Sequence, residues 1–292
     1  MIGPIVAISR SIFQAGQFVE SKKLTEKIDP LIVEFLTSLL LFSICVFVLL
    51  LGYQLEINDD NFWIYIVVGC VFTTTTTLLT ISALGKTDLS IVGPFYSLIP
   101  VFTMVSSIIL INEIPSLLGF LGIGLVFLGG YLSHLNKKNI KDSKPFKDLM
   151  KNRGVQLVFI ATITAAIGNP MVKAAILAST VWTQIIVFTI IHSTLTGSLI
   201  LIFKRKKIND AVKQVNVKWK NALMGNFHRT LTLVLGQIAF SLMYTAYATA
   251  IFRLSIFFQI YFGGKFFNEQ NIKQRMIGAI LIFAGVILIL IS

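Results

Sequence analysis

Charged and amide side chains interrupt several long apolar stretches of this 292-residue chain. Arg10 lies in the middle of the first stretch, and Gln14 and Gln17 follow at helical spacing, so that the three side chains share one helix face. A charged side chain inside hydrocarbon costs about 2.5–3.5 kcal/mol on insertion scales, and its presence therefore needs a physical reason. Arg10 either extends toward the outer membrane surface or belongs to the polar wall of a binding cavity.

A second arginine, Arg253, lies about two turns into the ninth apolar stretch. A guanidinium group binds a carboxylate or phosphate through two parallel hydrogen bonds, but Arg253 could equally be neutralised by Glu34 or by a helix end. Arg229 has the simpler interpretation of a solvated position at the inner end of its helix. With neighbouring amide and phenol groups, the predicted substrate-binding residues are Arg10, Gln14, Gln17, Tyr96, Asn169, Gln237, Tyr244, Arg253 and Gln259.

Two local features modify the backbone of these stretches. Asn169-Pro170 is expected to interrupt the sixth stretch, because proline removes a backbone hydrogen bond; such breaks point to transport sites but also occur for packing alone. Thr73–Thr77 is a run of five threonines, whose hydroxyls can bond the carbonyl four residues earlier. We expect packing and bending to explain most of the run, with one or two threonines facing the cavity.

Residue clusters typical of enzymes do not occur in the sequence. The sequence has no nucleophile–base pair, metal-ligand cluster or phosphate-binding glycine loop. We therefore expect that the protein is not an enzyme and that it binds no cofactor or metal. The cysteines, Cys45 and Cys70, both lie in apolar stretches, which argues against a disulfide framework. Of the three histidines, His192 is the one in mid-helix, where it makes a structural hydrogen bond or relays protons.

Composition assigns these residues to a membrane protein. The chain is 55% hydrophobic and only 13% charged, whereas soluble domains carry about 25% charged residues. Ten stretches qualify or nearly qualify as membrane spans of roughly 20 residues: 2–20, 30–52, 62–83, 90–111, 115–134, 155–176, 180–203, 221–243, 246–267 and 275–292. The predicted fold class is an all-α integral membrane protein with ten transmembrane helices.

The net charge of +12 does not indicate nucleic-acid binding, because the basic residues lie between the spans. All but four of the 25 Lys and Arg residues follow odd-numbered spans; the exceptions, Arg10, Lys173, Arg229 and Arg253, lie within spans. The positive-inside rule then places both termini outside the cell membrane. Four buried cations against about one acid, Glu34, favour an anionic or zwitterionic substrate. The lack of a midplane Asp or Glu favours exchange or facilitated diffusion over proton coupling.

A motif occurs twice with an offset of 156 residues. It consists of an Asn-Glu pair followed by two glycines at matching distances: Asn112-Glu113 with Gly122 and Gly129, and Asn268-Glu269 with Gly278 and Gly285. Such an offset in an apolar chain indicates internal duplication. Because each half has five spans, the second half must enter the membrane inverted.

The duplication predicts three regions: residues 1–135 as repeat 1, residues 136–154 as a basic cytoplasmic linker, and residues 155–292 as repeat 2. Glu113 and Glu269 should lie near opposite membrane faces, where each is expected to cap the helix that follows it. The glycine pairs predict close helix packing, and the fifth helix is expected to make its contact within the same half or with another copy.

The sequence Ser-Ala-Leu-Gly-Lys-Thr-Asp-Leu-Ser-Ile-Val-Gly-Pro at 82–94, then Pro100, Asn112-Glu113 and the glycine-spaced helix resembles the EamA-like part of the drug/metabolite transporter superfamily. The second half is similar, with Ala-Ile-Phe-Arg-Leu-Ser at 250–255 and Arg-Met-Ile-Gly at 275–278. The resemblance implies that both halves surround a central cavity through which small solutes cross by alternating exposure.

The predicted function is therefore a secondary transporter of a small organic metabolite, either amino-acid-like or phosphorylated. Its expected partners are that solute and the lipid bilayer, with no nucleic acid, and the protein is a monomer or a homodimer. The alternative is a membrane scaffold without flux, or a lipid-handling protein.

Overall fold

The computed structural model describes residues 2–84, 86, 96–134, 152–258 and 272–292, and this part of the chain is helical with short connections. The α-helices are α1 Ile2–Thr25, α2 Pro30–Leu50, α3 Phe62–Leu84, α4 Ile99–Ile111, α5 Leu117–His134, α6 Arg153–Leu177, α7 Val181–Phe203, α8 Ile208–Val217, α9 Trp219–Leu242, α10 Thr245–Ile251 and α11 Ile272–Leu290. Short 3-10 turns lie at Arg205–Lys207 and Phe252–Leu254. The predicted all-helical class is confirmed.

Four helices, α2, α3, α6 and α7, are long and apolar enough to cross a membrane. The apolar helices α4, α5, α10 and α11 are shorter over the residues described, partly because predicted stretches such as 90–111 begin outside them. Helices α1 and α9 have 24 residues each but carry the polar side chains that the sequence singled out. The helices therefore fit a multi-pass membrane protein, while the number of ten spans stays a prediction.

The two ends of the bundle differ in charge. Helix α1 ends in Lys22 and Lys23, and the turn that follows it is joined to the α7–α9 region by ion pairs of Asp29 with Lys204 and Lys207. Partial burial raises the pKa of Asp29, but hydrogen bonds from both lysines and from the Leu31 amide outweigh it and lower this pKa from its ordinary value. We call this end of the bundle the basic face, and the opposite end the far face.

The basic face also contains a helix that the sequence analysis missed. The lysine-rich segment after α7, expected to be a loop, forms α8. Its Ile208, Ala211 and Val215 pack in an apolar cluster with residues such as Ile32, while its other face is exposed. An apolar side of this kind at the end of a membrane bundle is typical of a helix lying along the interface.

Close helix pairs form the body of the bundle: α1 packs along α9, and α3 along α6. Glycines permit both contacts. A Cβ atom added to Gly16 in α1 would lie 2.5 Å from the ring of His228 in α9, and one added to Gly69 in α3 would lie 3.1 Å from the Val172 backbone nitrogen in α6. Small residues therefore let the backbones approach, as is usual in membrane helices.

The repeated glycines lie in a third pair, α5 with α11. A Cβ on Gly122 would lie 2.8 Å from the carbonyl oxygen of Gly285, and a Cβ on Gly285 would lie 2.6 Å from the carbonyl oxygen of Gly122. A Cβ on Gly129 would lie 2.6 Å from the carbonyl oxygen of Gly278. The two copies of the glycine motif thus pack against each other within one chain, in antiparallel order.

Pro170 does not interrupt its helix, contrary to the expectation, because α6 continues through it. Proline has no N–H to donate to the carbonyl of Ala166, four residues earlier. The Ser106 hydroxyl of α4 donates a hydrogen bond to that carbonyl oxygen. The freed backbone group is therefore satisfied from a neighbouring helix, which keeps α6 intact.

The largest apolar cluster lies toward the far face, where Ala7, Phe62, Ile66, Phe188 and Phe240 are among its buried members. The connection between α2 and α3 covers this cluster, since the Asn58 amide donates a 2.8 Å hydrogen bond to the Ala178 carbonyl oxygen at the end of α6. The bundle is thus densely packed at its far half.

Candidate functional site

A polar cavity of about 170 Å³ lies near the middle of the bundle and extends toward the basic face. Helices α1, α3, α6, α7, α9 and α10 line it, together with the start of α4 and the 3-10 turn Phe252–Leu254. Seven of the nine predicted site residues contribute to its wall: Arg10, Gln14, Gln17, Tyr96, Asn169, Gln237 and Arg253.

Arg10 is held against the cavity wall and does not extend along lipid. Its Nη1 donates a 2.9 Å hydrogen bond to Gln14 Oε1 one turn later. Its guanidinium carbon lies 3.6 Å from the centroid of the Phe252 ring, a stacking geometry that arginine favours. The guanidinium group is thus part of the cavity wall.

Arg253 is only 4% exposed and is fixed by backbone groups. Its Nη1 donates to the Tyr96 carbonyl oxygen at 3.2 Å, and its Nε donates to the Thr249 carbonyl oxygen at 3.3 Å. The guanidinium carbon also lies 5.3 Å from the centre of the Tyr96 ring. The Tyr96 hydroxyl in turn bonds Thr80, so that aromatic and hydroxyl groups position the arginine.

Neither arginine has a carboxylate partner among the described residues, whose ion pairs are all formed by other cations. Arg10 and Arg253 line the same cavity, and Arg10 stacks on Phe252, the residue that precedes Arg253. Two guanidinium groups that share a cavity of low dielectric are unfavourable unless an anion joins them. Of the alternatives for Arg253, neutralisation by Glu34 does not occur, because Glu34 pairs with Arg229 instead.

Hydroxyl and amide groups complete the wall. Thr73, Thr76 and Thr77 line the cavity, which is more of the threonine run than the sequence analysis expected. Gln237 is buried, and its Oε1 accepts no hydrogen bond from the described part of the chain. The wall thus offers hydrogen-bonding groups beside the two positive charges.

Two predicted site residues do not contribute. Tyr244 is 43% exposed at the far-face end of α9, where it packs on Tyr247 and lies 5.9 Å from the Lys173 ammonium nitrogen. It directly precedes α10 and is not among the residues that line the cavity. Gln259 lies outside the described residues.

Glu113 has a different partner from the one expected. It does not cap α5; its Oε2 accepts a 2.7 Å hydrogen bond from the Thr245 amide at the start of α10, and its Oε1 pairs with Lys173 of α6. Lys173 also donates to the Met243 carbonyl oxygen at 2.9 Å. Asn112 directs the carboxylate there, because it ends α4 in the left-handed conformation with φ of 55°. Glu269 lies outside the described residues.

Arg229 is not a solvated helix end, as the sequence analysis supposed. It is 8% exposed and pairs with Glu34 of α2. His192 of α7 lies against the same carboxylate, with its Nε2 3.0 Å from Glu34 Oε1. The clue in the sequence was that Glu34 is the sole acid in its apolar stretch, but the sequence alone did not identify its partners.

No cluster of His, Cys, Asp and Glu within the described ranges could hold a metal ion, and the thiols of Cys45 and Cys70 are free and buried. The cavity wall itself presents positive charge, hydrogen-bonding groups and aromatic faces.

Comparison with known proteins agrees with the fold. The EamA-like transporter family model matches residues 1–135. A solved structure titled "Crystal structure of protein" aligns with a TM-score of 0.74 at 11% sequence identity, covering 100% of this chain and 98% of that chain. At this identity the likeness concerns the fold alone. No curated protein matches the chain.

Proposed function

We propose that the chain is a secondary transporter for a small anionic or zwitterionic metabolite, on the premise that residues 1–135 match the EamA-like transporter family model. The solute, amino-acid-like or phosphorylated, crosses through the central cavity by alternating access. The protein is a carrier and not an enzyme, and it lies in the cell membrane with both termini outside.

The observation that carries this proposal is the pair of arginines in the cavity. The other two cations within the spans, Lys173 and Arg229, each have a carboxylate partner, whereas Arg10 and Arg253 have none in the described structure. Both line one cavity together with uncharged hydrogen-bonding groups. A carboxylate or phosphate between them would relieve their repulsion and form charge-assisted hydrogen bonds.

Inverted repeats, with boundaries at residues 1–135, 136–154 and 155–292, are supported by the way helices pair. A twofold axis that exchanges the halves requires that, where two helices pack together, their equivalents also pack together. The contacts of α1 with α9 and of α3 with α6 follow that rule, because α6 and α9 are the equivalents of α1 and α3. The reciprocal glycine contacts of α5 and α11 follow it as well.

Alternating access is supported by the difference between the two halves of the bundle. The cavity extends toward the basic face, while the apolar cluster and the Glu113–Lys173 pair separate it from the far face. With the basic face in the cytoplasm, this arrangement corresponds to a carrier closed on the outside. Trp63, Trp182 and Trp219 lie at helix starts and are about half exposed, as expected of residues at the membrane interface.

The test is uptake by vesicles that contain the purified full-length protein. A panel of labelled solutes should comprise inorganic phosphate, glutamate, alanine and a permanent organic cation, with protein-free vesicles as the control. We expect uptake of at least one anionic or zwitterionic solute above the control. Uptake of the cation alone would contradict the substrate class, and no flux for a broad panel would favour the scaffold or lipid-handling alternative.

A further inference from the structure

Behind the cavity wall, three ionisable side chains from three helices meet at one ring nitrogen. His192 Nε2 lies 3.0 Å from Glu34 Oε1 and 3.2 Å from Arg229 Nη2, and Arg229 also pairs with that carboxylate. The other ring nitrogen, Nδ1, lies 2.7 Å from Thr74 Oγ1. The side chains of Glu34, His192 and Arg229 are 0%, 1% and 10% exposed, respectively. Solvent therefore does little to screen this triad.

His192 Nε2 cannot satisfy both of its neighbours at once. With a proton it donates to the Glu34 carboxylate but points that proton at the Arg229 guanidinium. Without a proton it accepts a hydrogen bond from Arg229 Nη2 but turns its lone pair toward Glu34 Oε1. The position of Arg229 therefore decides whether a proton on Nε2 is favourable.

A count of charges also shows that protonation of His192 depends on the position of Arg229. With His192 neutral, the carboxylate and guanidinium of the triad cancel. A proton on the imidazole would then add a net positive charge at a buried site, which is costly. If Arg229 moved away, Glu34 would become an unpaired buried carboxylate, and a proton on His192 would restore neutrality.

Arg229 can make such a move because it belongs to both environments. It lines the cavity, whereas Glu34 and His192 lie behind it. Its Nε has no hydrogen-bond partner in the described structure, and neither does Glu34 Oε2. An anion in the cavity could therefore draw the guanidinium toward itself and leave the carboxylate to the imidazole.

We propose that Glu34, His192 and Arg229 form a proton-binding site in which Arg229 exchanges between Glu34 and a substrate anion, so that one anion and one proton load together. The proton comes from solvent water and binds His192 Nε2. For a monoanion the loaded protein then gains no net charge, since Arg229 balances the substrate and the imidazolium balances Glu34. The proposal rests on the transport function, and it supplies the coupling ion that the sequence analysis did not favour.

The surroundings of His192 add no other charge to this balance in the described structure. Among the helices packed on α7, α2 contributes Glu34, and α9 contributes Arg229. Helix α3 contributes Thr74, which lies 3.8 Å from the Cys70 thiol, and α6 presents no charged contact to the ring. Phe188, one turn before His192, stacks on the imidazole with ring centroids 5.9 Å apart.

The proton site can be tested by nuclear magnetic resonance of histidine-labelled full-length protein in lipid nanodiscs. In a background with His134→Gln and His228→Gln, His192 is the one histidine left to titrate. Arg229→Gln mimics withdrawal of the guanidinium and should raise the midpoint pH of the His192 titration by about one unit or more, a tenfold tighter binding of the proton. Glu34→Gln should lower the midpoint by a similar amount.

Arg205→Gln is the matched control, because Arg205 lies in the exposed 3-10 turn at the basic face, and the midpoint should not move. If Arg229→Gln or Glu34→Gln fails to fold, the other variant alone still tests whether the triad controls protonation of His192. A midpoint that ignores Arg229→Gln or Glu34→Gln would overturn the proposal. The titration needs no substrate, so protein that takes up no solute but titrates as described would refute transport and leave the proton site standing.

Discussion

At the scale of single residues, charge pairing separates structural cations from candidate binding cations. Lys173 and Arg229 each hold a carboxylate from a distant part of the chain, whereas Arg10 and Arg253 hold aromatic rings, an amide oxygen and backbone carbonyls. The first two stabilise the bundle while their partners remain in place. The second two keep charge available for a ligand.

The Glu113–Lys173 pair should be worth far more than an ion pair at the surface. Glu113→Gln keeps an acceptor for the Thr245 amide but leaves the Lys173 ammonium buried without a counter-charge. We expect a loss of about 3–5 kcal/mol in the free energy of unfolding, which is typical when one partner of a buried pair is removed. Thermal unfolding of the purified protein in detergent measures this loss as a lower Tm.

The matched control is Glu26→Gln, since Glu26 pairs with Lys218 at 3.0 Å but is 58% exposed. This substitution should cost about 0–1 kcal/mol. Adding Lys173→Met to Glu113→Gln should restore part of the lost stability, because it removes the orphaned charge. Equal effects of the two glutamate substitutions would show that the Glu113 pair does not stabilise the far face.

Sequence reasoning identified the polar face of α1 but not the partners of the buried charges. Helical spacing alone places Arg10, Gln14 and Gln17 on one side, and all three line the cavity. Glu34 and Arg229 are 195 positions apart, and nothing local to either one reports how α2 lies against α9. Pairing of this kind depends on tertiary packing and cannot be read from periodicity.

At the scale of helices, glycine spacing controls which surfaces approach. The sequence analysis identified the repeated glycines as packing faces and expected a contact within one half or with another copy, but not between the two halves of one chain. In the structure they meet each other in α5 and α11. The α8 helix was missed because the lysines around it obscured four apolar positions that recur at helical spacing.

Gly129→Ala should destabilise the α5–α11 contact, because the added Cβ would lie 2.6 Å from both the Gly278 carbonyl oxygen and the Ile282 backbone nitrogen. The helices must separate to admit the methyl group, so we expect a lower Tm. Gly124→Ala in the same helix is the control, since a Cβ there meets nothing within 4 Å. It should leave the Tm unchanged or raise it, because alanine favours the helix by about 1 kcal/mol over glycine.

A Tm that falls equally for both variants would show that glycine matters through the helix backbone and not through the contact. A Tm that falls for neither would mean that the two helices are not held at the described distance.

At the scale of the whole molecule, the bundle is asymmetric across its length: the cavity extends from the middle toward the basic face, and the largest apolar cluster packs toward the far face. The all-helical class follows from composition and the length of the apolar stretches. The depth at which the cavity ends does not follow from composition. It depends on how Glu113 in the first part of the chain contacts Lys173 and Thr245 in the second part.

The central claim, that an anion passes through a cavity defined by Arg10 and Arg253, is tested most directly by solute flux in charge-neutralised variants. The measurement is counterflow of the transported solute in vesicles that contain Arg10→Gln, Arg253→Gln or, as the control, Arg205→Gln. We predict a loss of about tenfold or more for each cavity variant, since a hydrogen bond to a charged group contributes about 1.5–3 kcal/mol, and no loss for the control. Unchanged flux in properly inserted Arg10→Gln and Arg253→Gln proteins would contradict the claim.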